Sequence, residues 1–512
     1  MTVGFSDPDS LEIMDTTLRD GEQCFGVSFN LQEKLVVSKF LLEELKVDRI
    51  EIASARVSEK ELEAVKAVCS WAKERGFLEK VEVLGFVDGN RSADWLNEAG
   101  CKTINLLAKG SERHCRTQLK KSPKEHFEGI ERELDYCKGI GISANVYLED
   151  WGNGMLESRQ YVLELVEFLE KCGTKRIMLA DTLGVLVPEE TGKFVLEAVE
   201  KFSGQHFDFH AHNDYGLAAA NSLAAIQAGA RGVHCTVNGL GERAGNAALE
   251  EISVIARDKA GKKIGIAEEK LGEASALVEG FSRQRVSFNK PVVGKNVFVQ
   301  TAGVHADGEL KGLLYTSRLN AKRFGKDTVY ALGKLSGLSS IEINLKKLGL
   351  DLEAGQKKEI LKKVVELGEK KNAITMDDFR TIAENAVGEE KKAFAKVADF
   401  HAKVGLGTEP EITVKIEANG KTVECAAKGN GAYDAFMNAL KALSEKNCFK
   451  IAELADYEVR IPRGGGASAI VEAIILWRHK GKEFSTIGID TDQLTASIKA
   501  TEKMLNIVNR GG

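Results

Sequence analysis

The sequence predicts an α/β protein built on a closed (β/α)8 TIM barrel, followed by a mostly helical linker region and a C-terminal α+β domain. Three observations carry this prediction. Between Leu11 and about Ala260, eight short apolar, β-branched runs alternate with amphipathic stretches of helical pattern, the rhythm of parallel strands with helical crossovers. Polar residues recur at the C-terminal ends of those runs, where barrel chemistry is built. An open doubly wound sheet is the competing arrangement, but no GxGxxG follows the first run, as a dinucleotide site would require.

The eight runs are LEIMDTT, DRIEIAS, VEVLGFV, TINLLAK, SANVYLE, RIMLADT, FDFHAHN and GVHCTVN. The polar residues at their ends are Arg19 and Asp20, Asp88, Lys109, Glu149 and Asp150, Asp181 and Thr182, His210 and His212, then Asn238. Beyond Ala260 the rhythm stops. Residues 266–395 read as helical linker subdomains with little strand character, ending in a charged helix around Glu389 to Val397. Residues 400–512 start a new pattern. EITVKIEANGKTVECAA reads as a strand, an Asn-Gly turn and a second strand. A helix, YDAFMNALKALSEK, follows, then the runs ADYEVRI, SAIVEAIILW and FSTIGI, and a final helix from Thr491 to Asn509. The barrel is assigned to residues 1–265.

At 512 residues the chain exceeds one typical domain. Its 43% hydrophobic and 29% charged residues exclude a disordered chain. The net charge of -5 is spread without long runs of one sign, which points away from nucleic acid and anionic membranes and towards small-molecule partners. Nine cysteines without a CxxC pair suggest reduced thiols in a cytoplasm rather than a disulfide framework. No segment approaches the roughly 20 apolar residues of a membrane span, and the N-terminal residues lack the pattern of a signal peptide.

His210 and His212 stand two apart in a strand, so both imidazoles leave the same face and can converge on one cation. A structural histidine is the commoner reading of either alone. Asp20, after the first strand, and Asn246, in the loop after the eighth, enter the same neighbourhood once the barrel closes. Two imidazoles, a carboxylate and an amide suit Zn2+, Mn2+ or Mg2+ with positions left open for a substrate. Arg19 reads either as a solvated charge before a turn or, beside a metal, as a stabiliser of developing oxyanion charge. Glu149 reads as a base, a residue that orients one, or an ordinary helix-start carboxylate. Lys109 offers a Schiff-base alternative that the metal set makes unnecessary. NGLGERAGN could approach a phosphate or pantetheine chain with its amides, or simply be a loop; IPRGGGASA reads as a flexible hairpin loop.

DTTLRDGEQ at 15–23, HAHND at 210–214 and NGLGERAGN at 238–246 resemble the three signatures of the acetyl-CoA-dependent keto-acid synthases, the family of isopropylmalate, homocitrate and citramalate synthases. The stretches EIASARVS, LGFVDGN, NVYLEDWGNG, TAGVHADG, YDAFMNAL, DYEVRIP and ATEKMLN are similar to the bacterial citramalate synthases and extend the likeness over nearly the whole chain. The resemblance implies a divalent cation on Asp20, His210, His212 and Asn246, a 2-keto acid held by Arg19 and Thr182, and acetyl-CoA as co-substrate. It further implies a homodimer in which His305 reaches a barrel and works with Glu149 on the acetyl methyl group, and an acetyl-CoA site including Asp307, Leu314 and Tyr315. Leu313 departs from the polar residue that such synthases can carry there. Leu84, Leu107 and Tyr147 are implied to line the keto-acid side-chain pocket; being bulky, they favour the methyl of pyruvate over isopropyl or carboxyethyl groups. The C-terminal domain resembles one that binds an end-product amino acid, isoleucine or leucine, with Tyr433, Asp434 and Gln493 as lining positions. Isopropylmalate synthesis is the neighbouring activity. A hydroxymethylglutaryl-CoA lyase would not need the appended domain and carries a cysteine loop absent here, and an inactive amino-acid sensor would not be expected to keep Arg19, Asp20, His210, His212 and His305 together.

Overall fold

The computed structural model describes residues 9–312, 314–315, 317–369, 374–386, 393–446, 448–461 and 470–509. The chain divides into two compact units, one formed by residues up to 298 with 316–328, the other by 299–315 with the residues from 329 onward.

The first unit is a closed barrel of eight parallel strands in sequential order. They are β1 Glu12–Asp15, β2 Arg49–Ser54, β3 Val81–Phe86, β4 Thr103–Lys109, β5 Ser143–Glu149, β6 Arg176–Asp181, β7 His206–Ala211 and β8 Gly232–Cys235. All eight coincide with the expected runs. Pairing of Glu12 with Gly232 and of Asp15 with Cys235 closes the sheet, so no edge is left exposed. One side of these strands is apolar: Ile50 and Ile52, Val81 and Val83, Ile104 and Leu106, Val146 and Leu148, Phe207 and Phe209 are buried in the barrel's main hydrophobic core. The alternate residues fill the barrel in layers. Towards the strand N-termini, Arg49 pairs with Glu82 at 3.0 Å, with Glu12 at 3.3 Å and with Asp208. An apolar layer of Met14, Leu84, Tyr147, Met178 and Ala180, flanked by Leu107, forms a separate cluster. Crossover helices begin where the sequence supplies caps: Asn30 and Glu33 form a reciprocal capping box, as do Ser122 and Glu125, the latter with Pro123 in the first turn.

In the second unit, β9 Val299–Gln300 and β10 Val329–Tyr330 form a short parallel pair. Helices Leu338–Lys347, Ala354–Glu369 and Met376–Ala386 pack around Ile341, Leu345, Ile360, Val364 and Phe379. Two successive βββα modules follow. The first comprises β11 Ala395–Lys403, β12 Glu411–Ala418, β13 Lys421–Lys428 and helix Ala432–Glu445. The second comprises β14 Glu453–Arg460, β15 Val471–His479, β16 Lys482–Asp490 and helix Gln493–Asn509. Both sheets are antiparallel. The Asn-Gly hairpin forms as expected, with Asn419 at φ 47° and Gly420 at φ 75°, the left-handed pair that a two-residue turn requires. The expectation of a charged helix running to Val397 is corrected: Ala395–Lys403 is a strand, and Asn506 brackets Ala395 by accepting from its N–H at 3.1 Å and donating to its carbonyl at 2.8 Å. Residues 387–392 and most of the glycine-rich IPRGGGASA stretch lie outside the described residues.

Candidate active site

The alternation in β7 that buries Phe207 and Phe209 sends Asp208 and His210 to the opposite face, and the next alternate residue is His212. Across the closed sheet, the chain after β1 turns tightly, with the N–H groups of Arg19 and Asp20 both donating to the Thr16 carbonyl. Asp20 is buried there, with Oδ2 3.2 Å from His210 Nε2 and 4.0 Å from His212 Nε2. One ligand atom from each of the three residues lies within 4.8 Å of the others. Burial alone would raise the Asp20 pKa; the Arg19 charge and the His210 hydrogen bond outweigh it and hold the carboxyl well below its usual range. Burial, against the pull of Asp20, pushes His212 down to about 4, so both groups are in the forms that bind metal.

Asn246 joins this group. It bridges the backbone of His212 and donates from Nδ2 to the Leu240 carbonyl at 2.9 Å, which leaves its buried Oδ1 without a partner. Asp20 Oδ1 is likewise buried and unpaired. Such atoms are costly unless something binds them. Two imidazoles, a carboxylate and an unpaired amide oxygen fit a divalent cation with open positions. The loop depends on Gly245, at φ 87°, where an added Cβ would stand 2.0 Å from the Gly239 carbonyl oxygen.

Arg19 is held on three sides: Nη1 lies 3.1 Å from Asp20, Nε donates to Glu51 at 2.5 Å, and Nη2 donates to Tyr147 OH at 3.4 Å. Glu51 in turn accepts from Asn105 at 2.7 Å, and Asn105 accepts from Asn145 at 2.9 Å. The guanidinium is thus fixed by a buried polar network and is not a solvated charge. Glu51, Asn105, Asn145, Asp208 and His234 were not singled out from sequence; the available signal was a polar residue at every second position of otherwise apolar runs. Leu84, Leu107 and Tyr147 meet in the apolar layer described above.

Glu149, at the end of β5, is partly exposed and ion-paired with Lys109 at the end of the neighbouring β4. The Lys109 ammonium is therefore engaged. Thr182 Oγ1 accepts from the Asp150 N–H at 2.8 Å, which fixes the loop after β6 beside the mouth. Other polar strand ends build loops. Asp181 accepts from the N–H groups of Val185 and Leu186, Asp88 from the N–H and hydroxyl of Ser92, and Asn238 exchanges hydrogen bonds with Ser275.

The remaining positions lie in the second unit. His305 and Asp307 are in helix Gly303–Leu310; the His305 ring lies 4.3 Å from that of Tyr315, Asp307 pairs with Lys311 at 2.7 Å, and Leu314 is exposed. Leu313 lies outside the described residues. Tyr433 stacks on Tyr457 at 4.9 Å, linking the two βββα modules, and its hydroxyl is 2.8 Å from Thr501 Oγ1. A cavity of about 670 Å³ is lined by Tyr433 and Asp434 together with Met437, Lys441, Leu454 and Tyr457. Gln493, at the head of the last helix, is not among its lining residues.

The chain matches the HMGL-like family over residues 10–278, the homocitrate synthase post-HMGL domain-like family over 292–372, and the LeuA allosteric (dimerisation) domain over 373–509. It is 36% identical over 464 residues to a putative (R)-citramalate synthase of Methanopyrus kandleri, covering 90% of this chain and 88% of that one. A putative (R)-citramalate synthase of Archaeoglobus fulgidus is 32% identical, with 97% and 99% covered. The 2-isopropylmalate synthase of Methanocaldococcus jannaschii is 33% identical, with 98% and 95% covered. The chain belongs to the HMGL-like family, in the branch of citramalate and 2-isopropylmalate synthases that carries a LeuA allosteric (dimerisation) domain.

Proposed function

We propose that the protein is an acyltransferase that condenses acetyl-CoA and water with pyruvate to give citramalate and CoA. The observation that favours pyruvate is the apolar layer of the barrel, where Leu84, Leu107 and Tyr147 come together and leave a methyl group the best fit. A divalent cation on Asp20, His210, His212 and Asn246 would polarise the keto carbonyl. Arg19, fixed by Glu51, faces the oxygen on which negative charge develops, and Thr182 helps to hold the keto acid. Glu149, with His305 from a second copy of the chain, removes a proton from the acetyl methyl group; the resulting carbanion attacks the keto carbon. Water then cleaves the thioester, releasing CoA. Asp307, Leu314 and Tyr315 belong to the acetyl-CoA site. Isoleucine is the effector expected at the cavity beside Tyr433 and Asp434, as the end product of a route beginning at this step.

The second reading is 2-isopropylmalate synthesis from 2-ketoisovalerate, favoured by the 33% identity to the synthase of that name. The test is acetyl-CoA-dependent thiol release with Mn2+ and pyruvate, 2-ketoisovalerate or 2-ketoglutarate, with the product identified by NMR and the assay repeated with isoleucine and with leucine. Pyruvate is expected to react fastest and isoleucine to inhibit. A preference for 2-ketoisovalerate selects the second reading. Absence of thiol release with every keto acid rejects both in favour of an amino-acid sensor.

A further inference from the structure

Beneath the candidate metal ligands, Tyr147 OH lies 2.9 Å from His234 Nδ1, and His234 Nε2 lies 3.1 Å from Asp208 Oδ2. Asp208 is itself anchored by Arg49, by His206 at 2.9 Å and by Arg176 at 3.7 Å. Both His234 and Asp208 are fully buried. The Tyr147 ring stands edge-on to His234 at 5.3 Å and to His210 at 6.0 Å, with the Arg19 guanidinium 5.6 Å from its centre. Gly232, which opens β8, makes the approach possible, since a Cβ there would lie 2.1 Å from Asp208 Oδ1. The hydroxyl and the ring therefore have one position, set from below by an imidazole that is itself held at its far nitrogen. Whichever way the proton lies between them, the bond joins the same two atoms.

We infer that His234 is a specificity-determining positioning residue: braced by Asp208, it fixes the Tyr147 hydroxyl and keeps the phenol ring as the rigid wall that limits the keto-acid side chain. This rests on the keto-acid reading above. The metal ligands are spaced by their own backbone, so the consequence of losing His234 is a movable wall rather than a lost site. A keto acid with one more methylene then gains ground on pyruvate.

The test compares kcat/KM for pyruvate and 2-ketobutyrate in wild type, His234→Leu, His234→Asn and Tyr147→Phe. Asparagine keeps an acceptor where Nδ1 stood, and Asp208 keeps its other partners in every variant. The pyruvate-to-2-ketobutyrate ratio is expected to fall about tenfold in His234→Leu and Tyr147→Phe, the scale on which a pocket discriminates one methylene, and to recover in part in His234→Asn, which keeps the acceptor but loses the brace at Asp208. A second readout needs no turnover: the rise in melting temperature that each keto acid produces with Mn2+ present should lose its bias towards pyruvate in the same two variants. A folded His234→Leu whose ratio stays within about twofold of wild type overturns the inference, on the same scale of discrimination. If His234→Leu does not fold, an unchanged ratio in Tyr147→Phe overturns it instead. Should wild type prefer the larger acid while His234→Leu still shifts the ratio tenfold, the pyruvate reading falls and the positioning role stands.

Discussion

Arg19 meets three partners that a planar guanidinium can satisfy together: Asp20, Glu51 and Tyr147. A lysine presents a point charge and cannot reproduce that fork. Arg19→Lys is therefore expected to lower kcat by roughly 10²–10³-fold, the scale of losing one preorganised oxyanion donor, and to lower the melting temperature because the buried Glu51 loses its fitted partner; steady-state kinetics and a thermal melt check both. Asp15 gives a pH-dependent consequence. Burial pushes its carboxyl up to about 7 despite two hydrogen bonds from Thr17. The folded form thus keeps a proton that the unfolded chain has lost, so the Asp15 contribution to stability falls as pH rises from about 4 to about 7 and is level above that. In Asp15→Asn this contribution is removed, and the variant should gain on wild type by about 2.7 kcal/mol between pH 5 and pH 8, since the contribution is lost over the two pH units from 5 to about 7 at 1.36 kcal/mol per unit. Urea denaturation at the two pH values measures the difference; parallel behaviour of the two proteins would contradict it.

At the scale of elements, eight barrel strands were readable because buried strands concentrate apolar, β-branched residues and amphipathic helical stretches separate them. Ala395–Lys403 was not, because its three alanines and two lysines continue the Glu- and Lys-rich stretch before it and have the composition of a solvated helix. His210 and His212 were readable from a spacing of two at the end of one strand-like run. Glu51, Asp208 and His234 were not, since an isolated carboxylate or imidazole gains meaning only when closure brings distant strands together. Lys34 was missed for the same reason. Fully buried, it donates to the carbonyls of Leu18 at 3.2 Å and Ile52 at 3.0 Å and pairs with Glu22 at 2.8 Å and with Glu61, fastening the loop that carries Arg19 and Asp20. Lys34→Met leaves two carboxylates unpaired, and should cost about 3–5 kcal/mol in urea denaturation, the range for breaking a buried ion pair. Catalytic efficiency should fall with it as the loop loosens.

For the whole molecule, the match to the LeuA allosteric (dimerisation) domain covers the pair of βββα modules joined by the Tyr433–Tyr457 stack, and the proposed function places regulation there and catalysis in the barrel. Tyr457→Ala removes one lining side chain of the 670 Å³ cavity and leaves every barrel residue unchanged. Thiol release in that variant is expected to stay near wild type while inhibition by isoleucine weakens by about tenfold or more, the scale of losing one buried aromatic anchor; an unchanged inhibition curve would contradict the assignment of this cavity. The family was legible in the three motifs and the barrel in the eight runs, but the role proposed for His305 came only through resemblance, since a histidine outside the strands has no spacing to argue from. The central claim is that Asp20, His210, His212 and Asn246 hold a divalent cation on which condensation depends. Its most direct test is acetyl-CoA-dependent thiol release with pyruvate by chelator-stripped protein before and after Mn2+ is restored. Release should fall at least 100-fold on stripping and return with about one Mn2+ per chain, the share expected of a Lewis acid at the reacting carbonyl. Full activity in protein shown by elemental analysis to be metal-free would contradict the account.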